Sequence, residues 1–185
     1  MVAIPRFVDV LDAARQGDER AYTTLYRDLA PAVRGYARGR GSPDPDDVVG
    51  DVFVSVVRGI DRFEGDETAF RAWLFTIAHH RLVDERRRHA RRAEDATDPV
   101  ALARAVSCPA PDLIGTGDPV AAAEIRRAIA MLTDEQREVV LLRVVADLPV
   151  ATVAAVLGKA EGAVKMLQRR ALGALARSLE MQKVA

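Results

Sequence analysis

Residues 148–172 have the pattern of a helix pair that reads DNA. Small residues that include Ala154 and Ala155 suit a short first helix, Gly158 marks a turn, and Val164 and Leu167 face inward from a second helix. This pattern is typical of a helix-turn-helix unit, in which the early residues of the second helix reach base edges in the major groove. The alternative is an ordinary helical hairpin with a solvated polar face.

The outer face of the second helix in this pair carries side chains that can contact DNA. Lys and Arg can bind phosphates or guanine, Gln can pair with adenine, and Glu can accept a hydrogen bond from cytosine. The candidate residues of these types are Lys159, Glu161, Lys165, Gln168 and Arg169.

A second candidate is the basic stretch 71–92, which holds seven arginines against Asp84 and Glu85. A helix with this density of arginine presents a basic ridge that suits a phosphate backbone, although such a run is more often a solvated helix end. Phe70 and Trp73 lie at its start, where aromatic rings either pack in a core or stack on bases. For Trp73 alone, core packing is the favoured interpretation.

Other chemistry finds little support in the sequence. His79 and His80 are adjacent, so on a helix they point about 100° apart and do not converge on one ion. Asp84 and Glu85 do not converge either, which argues against a nucleic-acid hydrolase. No Gly-rich phosphate loop or nucleophile elbow occurs. We therefore expect no metal, no cofactor and no enzymatic activity, and we take Cys108 as an incidental thiol.

Composition sets the limits on what these residues can be part of. The chain has 185 residues, of which 49% are hydrophobic and only 5% aromatic, and this favours helix over sheet. It lacks an apolar run of about 20 residues and a signal-peptide pattern, and its lone cysteine cannot form an internal disulfide. The sequence thus predicts a soluble, cytoplasmic, helical protein.

The charges separate the chain into three zones. The formal net charge of zero is the sum of +1 for residues 1–92, −4 for 93–120 and +3 for 121–185. The middle zone contains four prolines and two glycines, and a structureless loop of that length is uncommon inside one domain. We expect an all-α protein of two small helical domains joined by a flexible acidic linker, with the helix-turn-helix in the second domain.

Apolar periodicity places the helices within these zones. The first zone predicts four helices, with Val8 on the buried face of the first and Pro31 at a kink or a new first turn in the second. The last zone predicts four shorter helices, one of which begins at a capping box formed by Thr133 and Gln136. The final helix is expected to bury Leu172.

Three segments, in this order, resemble a known family. They are D-D-V-V-G-D-V-F at 46–53, the F-R-A-W-L-containing stretch 63–84, and residues 132–143 followed by the helix-turn-helix. Together they are similar to the extracytoplasmic-function (group IV) sigma factors of bacterial RNA polymerase. The resemblance implies a region 2 domain at 1–92, a linker at 93–120 that enters the polymerase channels, and a region 4 domain at 121–185. It also implies a factor that directs promoter-specific transcription initiation.

The resemblance also implies roles and partners. The expected partners are core RNA polymerase, through its clamp and flap, promoter DNA and an anti-sigma factor, with no membrane contact except through that factor. The clamp would be held by Asp47, Val48, Asp51 and Phe53. The −35 element would be read by Lys159, Glu161, Lys165, Gln168 and Arg169. The −10 element would be recognised and melted by Asp61, Phe63, Glu64, Arg71, Trp73, His79, His80 and Arg81.

Three departures from the family pattern limit this transfer. Gly50 stands where the family has Gln in the clamp segment, and His79 and His80 replace an Arg-Asn pair. The recognition helix has Met-Leu-Gln at 166–168, so the −35 sequence cannot be carried over. A stand-alone DNA-binding regulator with a helical sensor domain is the alternative, although a repressor needs neither the clamp segment nor the melting helix.

Overall fold

The computed structural model describes residues 4, 6–95, 125 and 127–184, and within these ranges all regular structure is helical. The acidic linker predicted at 93–120 lies almost entirely outside the described residues, as does Cys108. Among the helices that are described, none is long and apolar enough to cross a membrane.

The first half consists of four α-helices and one short 3-10 turn. The helices are α1 (Phe7–Arg15), α2 (Glu19–Gly39), α3 (Pro45–Gly59) and α4 (Glu67–Asp95), and the turn Ile60–Arg62 follows α3. Side-chain caps fix two of the helix starts, because Asp18 accepts a hydrogen bond from the Arg20 amide and Asp44 accepts one from the Asp47 amide.

The second half contributes α5 (Asp134–Val144), α6 (Val150–Leu157) and α7 (Glu161–Val184). The capping box predicted at the start of α5 is present, since Thr133 Oγ1 accepts from the Gln136 amide and Gln136 Oε1 accepts from the Thr133 amide. Gly158 ends α6 with a φ of 61°, a left-handed conformation that makes the tight turn into α7.

The two halves pack directly against each other rather than meeting only through the linker. Helix α5 contacts α2, and α6 contacts α4. Leu141, Leu142 and Leu148 of the second half are buried in the same apolar cluster as Leu74 and Tyr36 of the first. Gly39 permits this approach, because a Cβ at that position would lie 2.5 Å from Leu141 Cδ2.

The fold class and the order of the helices given above agree with the sequence prediction, whereas the first of the four helices predicted in the last zone lies largely outside the described residues; three details differ. Helix α2 runs continuously through Pro31, so no new helix begins there, since buried Leu29, Ala30 and Val33 on either side hold both segments against the core. Val8 is 62% exposed and Leu172 is 50% exposed, so both expectations of burial are wrong. Each lies at the edge of an apolar stripe, where tertiary packing decides which residue faces inward.

Candidate nucleic-acid interface

The loop between α3 and α4, residues 60–66, presents an aromatic platform. The Phe63 ring stacks on Trp73 with centroids 5.3 Å apart and an interplanar angle of 21°, and it meets Phe70 edge-on at 5.1 Å. Asp61 and Glu64 flank this stack and are exposed. The structure therefore brings together four of the residues that the sequence predicts for −10 recognition: Asp61, Phe63, Glu64 and Trp73.

Two close approaches hold the loop against α4. A Cβ at Gly65, whose φ is 144°, would lie 2.7 Å from the Ala69 Cβ, and one at Gly59 would lie 2.8 Å from Trp73 Cζ2. Asp66 begins α4 by accepting a hydrogen bond from the Ala69 amide at 2.8 Å. The loop therefore turns sharply at Gly65, and any larger residue there is strained.

Arg71 does not face the solvent as the sequence predicted. Its side chain is 9% exposed and its Nε donates to Glu67 Oε1 at 2.9 Å. The arginine lies one helical turn after Glu67, and that spacing favours an intrahelical ion pair. In this arrangement Arg71 supports the start of α4 instead of offering a charge to DNA.

His79 is occupied by a residue of the second half. Its Nδ1 lies 2.9 Å from Glu138 Oε1 and 3.4 Å from the Tyr36 hydroxyl, while Arg40 Nη2 lies 3.1 Å from the same Glu138 oxygen. Burial raises the pKa of Glu138, but the hydrogen bond from His79 and the charge of Arg40 outweigh it and lower the pKa overall. Burial, aided by the charge of Glu138, raises the pKa of Tyr36.

This four-residue contact between the halves was not foreseen. Its members come from distant parts of the sequence: Tyr36 lies on α2, Arg40 directly follows that helix, His79 lies on α4 and Glu138 lies on α5. The contact leaves the His79 side chain mostly buried, with 16% of its surface exposed.

The rest of the basic ridge on α4 is more accessible. His80 is exposed, and Arg81 donates to Ser55 Oγ at 3.3 Å with Asp51 3.7 Å away. Arg86 reaches Asp134 of the second half at 2.6 Å, and that hydrogen bond lowers the pKa of Asp134. The ridge thus faces outward at His80 and Arg81, and it turns toward the second half at Arg86.

The segment expected to hold the polymerase clamp forms a mixed surface on α3. Asp47 is exposed, Asp51 is half-exposed beside Arg81, and the Phe53 ring packs on Tyr26 with centroids 4.8 Å apart. Val48 is only 5% exposed, so it supports the helix from within the core. Sequence reasoning missed the apolar residues exposed beside this segment, which are Tyr26, Val54 and Val57.

The helix-turn-helix is present in α6 and α7, and its predicted contact residues share one side of α7. Glu161, Lys165 and Arg169 are exposed at intervals of four residues, which places them along one face. Gln168 is half-exposed beside them, and Lys159 in the turn pairs with Glu135 at 2.6 Å. In the described part of the chain, no group of three or more His, Cys, Asp or Glu side chains could hold a metal ion.

Comparison with known proteins shows that two family models match the sequence of this chain. The model for sigma-70 region 2 matches residues 25–92, and the model for sigma-70 region 4 matches residues 122–175. The first range contains the aromatic platform and the basic ridge, and the second contains the capping box and the helix-turn-helix.

Relatives and solved structures of the same kind are similar over most of the chain. The ECF RNA polymerase sigma factor BldN of Streptomyces coelicolor is 32% identical over 94% of this chain, which spans 66% of the length of BldN. SigM of Mycobacterium tuberculosis is 32% identical, with 92% of this chain and 83% of SigM covered. The structure of CnrH in complex with the cytosolic domain of CnrY aligns with a TM-score of 0.61 at 29% identity, covering 93% of this chain and 96% of CnrH.

One further solved structure shares the fold. The sigma factor RpoE of Bartonella quintana, in complex with the anti-sigma factor NepR, aligns with a TM-score of 0.65 at 24% identity. The alignment covers 86% of this chain and 96% of RpoE.

Proposed function

The chain belongs to the extracytoplasmic-function group of sigma-70 RNA polymerase sigma factors, and from this premise we propose which of its residues perform each part of promoter recognition. It binds core RNA polymerase and directs promoter-specific transcription initiation. In this proposal, residues 1–92 form a region 2 domain, residues 93–120 form a linker and residues 121–185 form a region 4 domain.

The α3–α4 loop and the start of α4 recognise the −10 element. The observation that carries this assignment is the Phe63–Trp73 stack, flanked by the exposed carboxylates of Asp61 and Glu64. An aromatic platform beside hydrogen-bond acceptors suits a base that has left the duplex, because unstacking costs a few kcal/mol and new stacking contacts offset it. His80 and Arg81 extend the contact along the DNA backbone.

Helix α7 recognises the −35 element through its exposed face. Glu161, Lys165 and Arg169 point outward from the first turns of the second helix of the pair, which is the part that reaches base edges in helix-turn-helix proteins. Lys159 and Gln168 border this face. Lys165 lies 3.9 Å from Glu161 with both side chains more than half exposed, so DNA can displace this weak pair.

The clamp of core polymerase binds the exposed side of α3. Asp47, Asp51 and Phe53 lie there, and Val48 holds the helix in place from its buried side. The exposed apolar side chains of Tyr26, Val54 and Val57 enlarge this surface. An apolar patch next to carboxylates is typical of a protein interface with a basic rim on the partner.

Regulation and location follow from the same assignment. CnrH binds the cytosolic domain of CnrY. By similarity, this chain binds an anti-sigma factor that competes for its polymerase or DNA surfaces. Its partners, the polymerase and the promoter, place its action in the cytoplasm. It acts by binding, without catalysing a reaction of its own.

Run-off transcription with purified core polymerase tests the function. The full chain should be required for a transcript from its own promoter, and failure to bind core or to initiate would refute the proposal.

A substitution in the loop tests its role at the −10 element, because Glu64→Ala should reduce opening of the −10 region. Glu19→Ala, which removes another exposed carboxylate from α2, should not reduce it. Equal behaviour of the two variants would remove Glu64 from the −10 contacts.

A further inference from the structure

Helix α1 contacts the α3–α4 loop, although it lies outside the stretch 25–92 that matches sigma-70 region 2. Its last residue, Arg15, donates from Nη2 to the main-chain carbonyl of Phe63 and from Nη1 to Asp12 Oδ1 at 2.9 Å. The Arg15 side chain is 31% exposed, so the guanidinium is partly covered where it meets the loop. The exposure of Arg15 does not by itself suggest a role at the −10 element, because its guanidinium binds a main-chain carbonyl of the protein.

The carbonyl that Arg15 binds belongs to the residue at the centre of the platform. Phe63 is in an extended conformation, with φ −73° and ψ 131°, immediately after the 3-10 turn. Outside a helix, its carbonyl oxygen has no repeating backbone partner, and the arginine supplies a charge-assisted donor. The contact therefore fixes the residue whose ring stacks on Trp73.

Two more contacts tie the same N-terminal segment to the platform. The Phe7 ring of α1 lies 5.4 Å from the Phe70 ring, which in turn meets Phe63. The Ile4 amide donates to both carboxylate oxygens of Glu67 at 3.2 Å. The loop is thus braced from the N-terminal side by a side chain, a ring and a backbone amide.

The loop needs such bracing because its own hydrogen bonds are few. Beyond the turn, the main-chain bonds of this segment are Phe63 N to Ile60 O and Phe70 N to Asp66 O. Gly65, at φ 144°, adds conformational freedom to the unbraced chain. A loop that is ordered before the base arrives does not lose that freedom on binding, so its affinity is higher.

We propose that Arg15 is a positioning residue for −10 recognition, which holds the Phe63 backbone so that the platform is formed before promoter DNA binds. This inference rests on the proposed function of the loop. It extends the −10 machinery to α1, which no motif in the sequence indicated. Arg15 touches no base itself and acts through Phe63.

The test compares holoenzymes that contain Arg15→Ala, Arg15→Lys or the wild-type chain. The readouts are the affinity for a single-stranded −10 oligonucleotide and the rate of −10 opening followed with a fluorescent base analogue. For Arg15→Ala we expect a loss of roughly tenfold in oligonucleotide affinity, the size of one charged hydrogen bond at the low end of its range. Arg15→Lys retains the charge but presents its donors from a single nitrogen, instead of the two guanidinium nitrogens that contact Phe63 and Asp12, and its affinity should fall between the other two.

The matched control is Arg6→Ala, because Arg6 forms the same kind of i,i+3 pair with Asp9 but its side chain is 85% exposed, against 31% for Arg15. Arg6→Ala should retain wild-type affinity. Two further readouts separate positioning from general damage. Binding to core polymerase should be unchanged in Arg15→Ala, and hydrogen exchange should speed up in residues 60–66 but not in α2.

Several outcomes would overturn the inference. Wild-type oligonucleotide affinity in Arg15→Ala would do so, as would a loss of core binding equal to the loss of −10 binding, which would mark Arg15 as merely structural. If the wild-type holoenzyme itself fails to initiate, the proposed function falls first and this inference with it.

Discussion

Replacing Glu138 with Ala should destabilise the chain far more than the loss of a glutamate from a helix surface would. The Arg40 side chain is 5% exposed and that of Glu138 is 12% exposed, and they are joined at 3.1 Å between Nη2 and Oε1. Removing the carboxylate leaves a buried guanidinium without its counter-charge, which typically costs about 3–5 kcal/mol. His79 loses its 2.9 Å partner in the same step.

A neighbouring glutamate provides the control. Glu135 lies one turn earlier on α5 and pairs with Lys159 at 2.6 Å, but its side chain is 61% exposed. An exposed pair of this kind contributes about 0–1 kcal/mol, so Glu135→Ala should change the free energy of unfolding very little. The two variants therefore differ mainly in burial, with the residue type and helix held the same.

The assay is equilibrium unfolding in urea at pH 7, followed by far-ultraviolet circular dichroism. Because the two halves share one apolar cluster, the wild type should unfold in a single transition. Adding Arg40→Met to Glu138→Ala should recover part of the loss, since both charges are then gone. A Glu138→Ala value within about 1 kcal/mol of Glu135→Ala would refute the view that this pair is buried between the halves.

Three further predictions concern the same interface and the DNA-binding helix. The folded-state pKa of Glu138 is below its usual value of 4.5. The stabilisation that its carboxylate provides is therefore present above pH 4.5 and is lost as the pH falls through the folded pKa. The difference in unfolding free energy between the wild type and Glu138→Gln should become smaller in acid. Gly39→Ala should destabilise the chain through a clash with Leu141, with an overpacking cost of about 1–3 kcal/mol measured in urea. Lys165→Ala combined with Arg169→Ala should weaken −35 protection in footprinting and reduce the salt dependence of promoter binding.

Controls for the last two predictions are available on α7. Gly173→Ala gives a similar gain in helix propensity, and its new Cβ meets only the Arg177 side chain at 3.5 Å. If Gly173→Ala and Gly39→Ala have the same free energy of unfolding, the view that the two halves approach closely at Gly39 is refuted. Arg170→Ala with Arg177→Ala removes the same charge from other exposed positions, and equal loss of −35 protection would show a bulk charge effect instead of specific contacts. For Glu138, a stability gap that stays constant down to strong acid would contradict the lowered pKa.

The sequence was a good guide to features that local chemistry decides. The capping box of Thr133 and Gln136 and the turn at Gly158 each depend on residues a few positions apart, and the structure contains both. The helix-turn-helix was predicted from the turn at Gly158 together with the small and apolar residues on either side of it. Which residue at the edge of an apolar stripe faces the solvent, as with Val8, depends instead on the neighbouring helix and could not be predicted.

The contact between the halves could not be predicted for a different reason. Arg40 and Glu138 are separated by nearly a hundred positions, and each is an ordinary residue for a helix surface. The missing side chain of Gly39 makes room for Leu141, a residue about a hundred positions away along the chain. The assignment of His79 to DNA followed from the family resemblance, which carries no information about a partner on another helix of the same chain.

The pairing of His79 with Glu138 has a thermodynamic consequence for promoter binding. A carboxylate offers the imidazole the same kind of acceptor as a DNA phosphate, so Glu138 is a tethered competitor for any promoter contact that His79 makes. Apparent affinity equals intrinsic affinity multiplied by the fraction of molecules in which the ring is released. Each 1.4 kcal/mol that stabilises the His79–Glu138 pair lowers the fraction of molecules with a released His79 about tenfold. A partner that separates the two halves releases His79 and so restores the intrinsic affinity.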